Sequence, residues 1–357
     1  MFFWIMTVGL FFMQFVTGTW LHVAFPSISF KWAALIIPFI LSVAVRFGME
    51  YTRTHYGAWE SVLYYVSNAW VGLAFILFCI SLLCAVLQLI LLLCRVNIIR
   101  FLGPASVGLM VIFCALAVWN GLKTPAVKYV DVHVDGAPTL KAAVLSDSHL
   151  GMGVSLKRFE RALNILQQEK PDLLLVLGDV FEYGPDQDKY AQALARFEAP
   201  MGKYGVLGNH EYYTGYENSL RFYRQSGITL LQNETARPAE NLTIAGVKDV
   251  RTARVKAQDV ERLLADIPST DAIFYLSHQP LLVQTAEDAG VGLMLSGHTH
   301  NGQIFPFNFL VKWQYPYVYG LYPVGHMSLY VTSGWFYWGM PLRLFAPAEM
   351  AVIRVNA

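Results

Sequence analysis

Between Asp147 and His300 the chain carries a spaced series of short polar blocks. They read Asp147-Ser148-His149, Gly178-Asp179-Val180-Phe181-Glu182, Gly208-Asn209-His210-Glu211, His278 and Gly297-His298-Thr299-His300. Nine histidines occur in the whole sequence and five of them lie in these blocks, so composition alone does not account for the clustering. Carboxylate, carboxamide and imidazole donors without sulfur suit a divalent Mn, Fe or Zn ion better than a soft metal or an all-oxygen calcium site. An aspartate has two oxygens, so Asp179 can serve two ions at once. One ion would take Asp147, His149, Asp179 and His300, and a second would take Asp179, Asn209, His278 and His298. Two divalent cations against two aspartates leave a positive surplus that favours a bridging hydroxide and a bound phosphate. His210 directly follows a ligand and would face the leaving-group oxygen, as proton donor or charge stabiliser. Glu211 would orient His210 or another imidazole. Glu182 is either a supporting carboxylate or a helix-start residue, and Arg343 is either a phosphate grip or half of a structural ion pair.

Residues so far apart can meet only if the intervening elements return them to one edge. After Pro125 the pattern alternates between short apolar runs and amphipathic stretches. Residues 140–145, 172–177, 204–207, 273–276 and 293–295 read as strands, and each ends at a polar block. Leu156, Phe159, Leu163 and Leu166 keep helical spacing between the first two. Ligand sites in α/β sheets form beyond the carboxyl ends of strands. In Asp147-x-His149 a strand period of two would send both side chains to the same side. The later runs 328–332, 342–345 and 350–355 lack intervening helices and read as antiparallel strands.

The first 122 residues differ in kind. They hold five basic and two acidic residues, too few for a soluble surface, and all four cysteines. Four runs approach the roughly 20 apolar residues needed to cross a bilayer: 2–25, 32–45 (interrupted by Pro38), 69–94 and 101–119. The expected organisation is a four-helix transmembrane region over 1–122 and a soluble α/β domain over 123–357. Four spans would put Met1 and the soluble domain on one side. Arg95, Arg100 and Lys31 on one side nearly balance Arg46, Arg53, Lys123 and Lys128 on the other. The short, purely basic Arg95–Arg100 turn is the cleaner cytoplasmic signal, which would place the soluble domain outside. Net charge is +1, which gives no broad attraction for nucleic acid.

Taken in order, the five blocks resemble the calcineurin-like metallophosphoesterase superfamily, whose pattern is D-x-H, G-D-x-x-[DE], G-N-H-[DE], H, G-H-x-H. The resemblance covers about Leu140 to Val355. It implies an α/β fold, a four-layer αββα sandwich with a dinuclear metal site, and phosphoester hydrolysis by a metal-bridging hydroxide. A narrower likeness is to membrane-anchored bacterial members, whose last block reads G-H-T-H-G-G-Q; here Asn301 replaces the first following glycine. A relative of that kind is linked to UDP-2,3-diacylglucosamine hydrolysis. Tyr183 stands where the protein-phosphatase branch carries a phosphate-gripping arginine, which argues against a phosphoprotein substrate.

The expectation is an integral protein of a bacterial inner membrane that cleaves a phosphodiester or pyrophosphate in a lipid or lipid-linked molecule. Its partners would be membrane lipids and that phosphorylated substrate, with no nucleic acid. A catalytically silent membrane receptor or scaffold and a nucleic-acid phosphodiesterase are the alternatives. Aromatic residues crowd 305–345, including Trp313, Tyr315, Trp335 and Trp338. Part of this run would pack in the core and part would form an apron at the bilayer surface, where Trp and Tyr are favoured.

Overall fold

A computed structural model describes residues 2–27 and 33–356. The chain divides into two compact units. The first comprises Met1–Leu122 together with Ile304–Pro306 and Gly339–Phe345; the second comprises Lys123–Gln303, Phe307–Trp338 and Ala346–Ala357.

In the first unit the helices are α1 (Phe2–Ala24), α2 (Ala33–Tyr51), α3 (Ala58–Leu93) and α4 (Ile99–Leu122). Among the described residues three helices, not four, are long and apolar enough to cross a membrane: Trp4–Ala24, Ala58–Leu93 and Ile99–Leu122. The second expected span does form a helix, α2, which carries Arg46 and Glu50 beyond that span, paired at 3.4 Å, and is not among these three. Pro38 is accommodated within α2, and the Ser42 hydroxyl donates to its carbonyl oxygen at 2.7 Å. Lys31, expected on the side of the basic turn, lies outside the described residues. The third span is longer than expected: α3 has 36 residues, about 54 Å at the α-helical rise. Buried polar pairs join the helices, with Gln14 Nε2 donating to Ser42 Oγ at 2.9 Å and Trp20 Nε1 donating to Ser106 Oγ at 2.9 Å. Between apolar surfaces such bonds hold helices together where the hydrophobic effect gives little.

The two later segments of this unit pack with the helices. Ile304, Leu342 and Leu344 are buried in one cluster with Trp20, Ile76, Ile80 and Met110, and the Arg343 N–H donates to the Ala117 carbonyl at 2.9 Å. Residues 342–345 are therefore not the strand their apolar character suggested. They make only one isolated bridge, Leu344 with Ile304, because their burial comes from helices.

The second unit contains two six-stranded sheets. Sheet one is formed by β1 (Ala126–His133), β2 (Leu140–Leu145), β3 (Leu173–Val176), β4 (Lys203–Gly205), β5 (Thr229–Leu230) and β12 (Glu349–Asn356). Sheet two is formed by β6 (Glu234–Ala239), β7 (Leu242–Gly246), β8 (Ala272–Leu276), β9 (Leu293–Ser296), β10 (Gly320–Val324) and β11 (Met327–Val331). The sheet orders are β1-β12-β2-β3-β4-β5 and β10-β11-β9-β8-β7-β6. Runs β2 to β5 and β7-β8-β9-β11 are parallel, so the strand ends that matter lie along one edge of each sheet. The late strands are not purely antiparallel as expected: β11 runs parallel to β9, and β12 runs antiparallel to β2 but parallel to β1.

Strand alternation builds four layers. Ala142, Val144, Leu173 and Leu175 share a buried cluster with Leu242, Ile244, Phe274, Leu293 and Leu295, which is the interior between the sheets. The intervening residues face outward and are covered by helices. Ala143, Leu145, Leu174 and Val176 pack with side chains of α5 (Leu156–Gln167), α6 (Gln187–Ala195) and α8 (Tyr216–Gln225). Ala245, Ile273, Tyr275 and Met294 pack with α9 (Ala257–Ala265) and α10 (Val283–Asp288). Two short helices complete the unit, α7 (Asn209–Thr214) and α11 (Asn308–Gln314). This is the αββα arrangement, and the Leu156-Phe159-Leu163-Leu166 spacing is the buried face of α5, whose start is capped by Ser155.

Candidate metal centre

Each polar block begins within a few residues of a strand end: 147–149 after β2, 179 after β3, 209–211 after β4, 278 after β8 and 298–300 after β9. The local geometry differs from a strand period of two. Strand β2 stops at Leu145, and Asp147 and His149 adopt left-handed backbone with φ 51° and 41°. Asp179, His298 and His300 do the same, at φ 51°, 70° and 49°. Non-glycine residues hold this conformation at a cost of order 1–3 kcal/mol each, and only where surrounding bonds over-determine it. Those bonds are present: Asp147 N–H donates to Gly178 O and His149 N–H to Asp179 O, both at 3.0 Å. The His298 N–H donates to the Asp147 carboxylate, 3.0 Å from each oxygen. At Gly297 a side chain would collide with the Ser146 hydroxyl and the Asp147 carboxylate.

The side chains converge. Three groups have donor atoms within 4.8 Å of one another and could hold a metal ion: Asp147, His149 and His300; His149, Asp179 and His210; Asp179, His278 and His298. His300 Nε2 lies 3.4 Å from Asp147 Oδ1 and 3.0 Å from His149 Nε2. His278 Nε2 lies 3.2 Å from Asp179 Oδ2, Asn209 Oδ1 and His298 Nδ1 alike. The other nitrogen of His278 makes a 2.7 Å bond with Leu177 O, which leaves Nε2 for the cluster. This donor set suits a divalent cation, because Asp179 lies between two groups of imidazoles.

The two glutamates have separate roles. Glu182 Oε1 lies 2.7 Å from His149 Nδ1 and 3.1 Å from His210 Nδ1, so one carboxylate turns two imidazoles. Glu211 does not orient an imidazole. Its oxygens accept from the backbone N–H groups of Val180 and Gly208 at 2.7 Å and of Asp179 at 2.9 Å, which ties the β3 and β4 ends together. The His210 N–H in turn donates to Asp179 Oδ1 at 2.9 Å. Arg343 is placed elsewhere: it is completely buried and belongs to the first unit. Sequence reading missed Tyr315, Gln279 and Asp249, which form a chain of bonds to His298. A sequence signal existed only for Gln279, which directly follows His278.

Protons compensate the carboxylates in the metal-free protein. Burial disfavours charge on His210, but Asp179 and Glu182 outweigh it and raise its pKa to about 9. His278, likewise buried, is held well above its ordinary value by Asp179 and Asp147. Burial and the neighbouring His278 charge push His298 down to about 3. Burial opposes ionisation of Glu182, yet His210 and His149 hold it at about 2. A histidine with a raised folded-state pKa contributes stability that is complete below the unfolded value of about 6.5 and is lost as pH rises through the folded value. The chelator-treated protein is therefore expected to melt at progressively lower temperature from pH 6.5 through 9, as His210 loses its proton. Metal binding must also displace the His278 proton. Thermal unfolding with and without Mn2+ across this range checks both points, and a flat metal-free profile would count against the assignment.

Residues 140–302 match the family model described as calcineurin-like phosphoesterase. An uncharacterized metallophosphoesterase of Campylobacter jejuni is 35% identical over 266 residues, covering 72% of this chain and 71% of that one. One from Helicobacter pylori is 34% identical, covering 66% of this chain and 65% of that one, so the chain spans about two thirds of that relative. A zebrafish (Danio rerio) transmembrane protein with metallophosphoesterase domain is 30% identical, covering 68% of this chain and 61% of the relative. The chain belongs to the calcineurin-like phosphoesterase family. It is a phosphoesterase, a hydrolase with side-chain groups able to bind metal, and its apolar helices and transmembrane relatives associate it with a membrane.

Proposed function

We propose that this chain is a membrane-anchored, two-metal phosphoesterase that hydrolyses a phosphodiester or pyrophosphate bond in a lipid or lipid-linked substrate. The observation that carries the chemistry is Asp179, which lies in two of the three metal-holding groups while its second oxygen accepts the His210 N–H at 2.9 Å. Asp147, His149, Asp179 and His300 would hold one ion; Asp179, Asn209, His278 and His298 would hold the other, with Mn, Fe or Zn favoured by the nitrogen and oxygen donors. When bound, such a pair supplies Lewis acidity at the phosphoryl oxygens and an activated water. His210, steered by Glu182, protonates or stabilises the departing oxygen.

The lipid reading is supported by the three apolar helices and by the surface of α11, none of whose residues is buried. Trp313 is 90% exposed, Phe309 62% and Leu310 58%, values that a water-facing helix of this unit would not favour. The membrane apron therefore moves to α11. Trp335 does not belong to it, being fully buried with its indole N–H donating to Val144 O at 2.7 Å, and Tyr315 is buried too. Within this reading the substrate is a nucleoside-diphosphate-linked diacyl lipid of the UDP-2,3-diacylglucosamine kind. The location is a bacterial inner membrane with the domain on the outer side. That side rests on the basic Arg95–Arg100 turn and a single crossing by α4, so it does not depend on whether three or four helices span.

The test uses full-length protein in detergent micelles. Mn2+-dependent hydrolysis of bis-p-nitrophenyl phosphate is expected, and binding of phosphate esters without turnover would identify a receptor instead. Replacing Leu310 and Trp313 with Ser should lower turnover of a diacyl pyrophosphoryl lipid in mixed micelles by about 10-fold or more, as loss of one or two buried apolar side chains implies, while sparing the chromogenic diester. Equal loss on both would remove the lipid-surface role of α11.

A further inference from the structure

The outward nitrogen of His298 faces a neutral phenol. Tyr315 OH lies 2.8 Å from His298 Nε2 and donates to Gln279 Oε1, also at 2.8 Å. Gln279 Nε2 donates to Asp249 Oδ2 at 2.7 Å, and Asp249 Oδ1 accepts the Thr252 N–H at 2.8 Å. All four side chains are buried or nearly so, and none of these bonds is needed to close a strand or helix.

The direction of the chain follows from what each group can donate. An ionised carboxylate is acceptor-only, so Gln279 must turn its NH2 toward Asp249 and its carbonyl oxygen toward Tyr315. Tyr315 has a single hydroxyl proton, which is committed to that oxygen. Toward His298 it can therefore only accept. Nε2 of His298 must carry the ring proton, and Nδ1, 3.2 Å from His278 Nε2, keeps its lone pair for the cluster. We propose that Asp249, Gln279 and Tyr315 act as positioning residues that lock His298 into its metal-binding tautomer. The inference rests on His298 being a metal ligand, as in the function proposed above.

The polarity of the chain makes a reversal possible. In Asp249→Asn the carboxamide oxygen can still accept the Thr252 N–H, which turns the new NH2 toward Gln279. Gln279 must then flip and donate to the Tyr315 oxygen. That frees the phenol proton to bond His298 Nε2 and moves the imidazole proton to Nδ1, where it blocks the ligand position. Tyr315→Phe removes the hydroxyl but keeps the ring, over which the Arg251 guanidinium lies 4.8 Å from the centroid.

Mn2+ titration of full-length protein in micelles, with free Mn2+ read by electron paramagnetic resonance, tests this. Tyr315→Phe should weaken one of two Mn2+ sites by about 10-fold or more, the usual effect of losing a bond behind a ligand, with an unchanged melting temperature. Asp249→Asn should weaken the same site further. The double variant should return to the Tyr315→Phe value, because without the hydroxyl the chain cannot impose the wrong tautomer. Additive losses with falling melting temperature indicate a merely structural network and overturn the proposal. If Asp249→Asn does not fold, the Tyr315→Phe titration decides by itself, and unchanged affinity overturns the proposal. Wild-type protein that takes up none of Mn2+, Fe2+ and Zn2+ overturns both this inference and the two-metal reading; normal wild-type uptake with unaltered Tyr315→Phe uptake overturns only the chain.

Discussion

Asp179→Asn is expected to remove Mn2+-dependent hydrolysis of bis-p-nitrophenyl phosphate and to lower metal content below that of the wild type. Asp179 Oδ2 lies 3.2 Å from His278 Nε2 and 3.9 Å from His149 Nε2, so one oxygen is shared by both imidazole groups. Oδ1 is committed to the His210 N–H. An asparagine must therefore aim its NH2 into the cluster, where a donor and a cation repel, or toward His210, where two donors meet. Neither orientation keeps both functions. Loss of several kcal/mol of charge stabilisation corresponds to about 10³-fold in rate. The substitution is isosteric but removes the charge that holds His210 and His278 protonated, so a melting temperature below that of the metal-free wild type is expected at neutral pH. Retained turnover with two bound ions would remove Asp179 from its bridging role.

His210→Gln has the second-largest expected effect and a different signature. His210 lies beside the other clustered imidazoles, its ring centroid 4.8 Å from that of His149, and Glu182 fixes its Nδ1 at 3.1 Å. Its neighbours hold it protonated at neutral pH in the metal-free protein, since its pKa is raised to about 9. A group that delivers a proton to the leaving oxygen contributes about 10²–10⁴-fold. That contribution matters least when the leaving group is stable without a proton. Loss of kcat on a p-nitrophenyl ester should therefore be modest, and loss on an alkyl phosphodiester should approach the full range, with metal content preserved. A uniform loss across leaving groups would make His210 a structural or metal-binding residue instead.

The sequence and the structure agree most closely where side-chain alternation carried the information. Leu140–Leu145 is a strand with the expected bounds, and the helical spacing from Leu156 to Leu166 is the buried face of a helix. The polar blocks are legible because their residue types are rare together. What the sequence does not show is how Asp147 and His149 are aimed: the strand ends before them, and left-handed backbone held by Gly178 and Asp179 carbonyls takes over. Glu211 is legible as a functional residue but not in its role, since its partners are backbone N–H groups that no side-chain pattern reveals. Tyr315 lies among aromatic residues of similar appearance, and only its partners separate it from the exposed Trp313 two positions earlier. Residues 342–345 look like a strand because apolar residues read alike whether sheet or helix covers them.

Those residues also bear on any attempt to isolate the soluble part. A protein beginning at Lys123 would still carry Ile304, Leu342 and Leu344, whose burial comes from a cluster that includes Trp20, Ile76, Ile80 and Met110. Removing the helices would expose three large aliphatic side chains in two separate loops. Such a fragment should precipitate or require detergent, and protease cleavage near Lys123 should not release a free domain. The family fold is thus made part of its own anchor by two excursions of chain, and solubility would be recovered by changing 304–306 and 339–345 rather than by moving the cut.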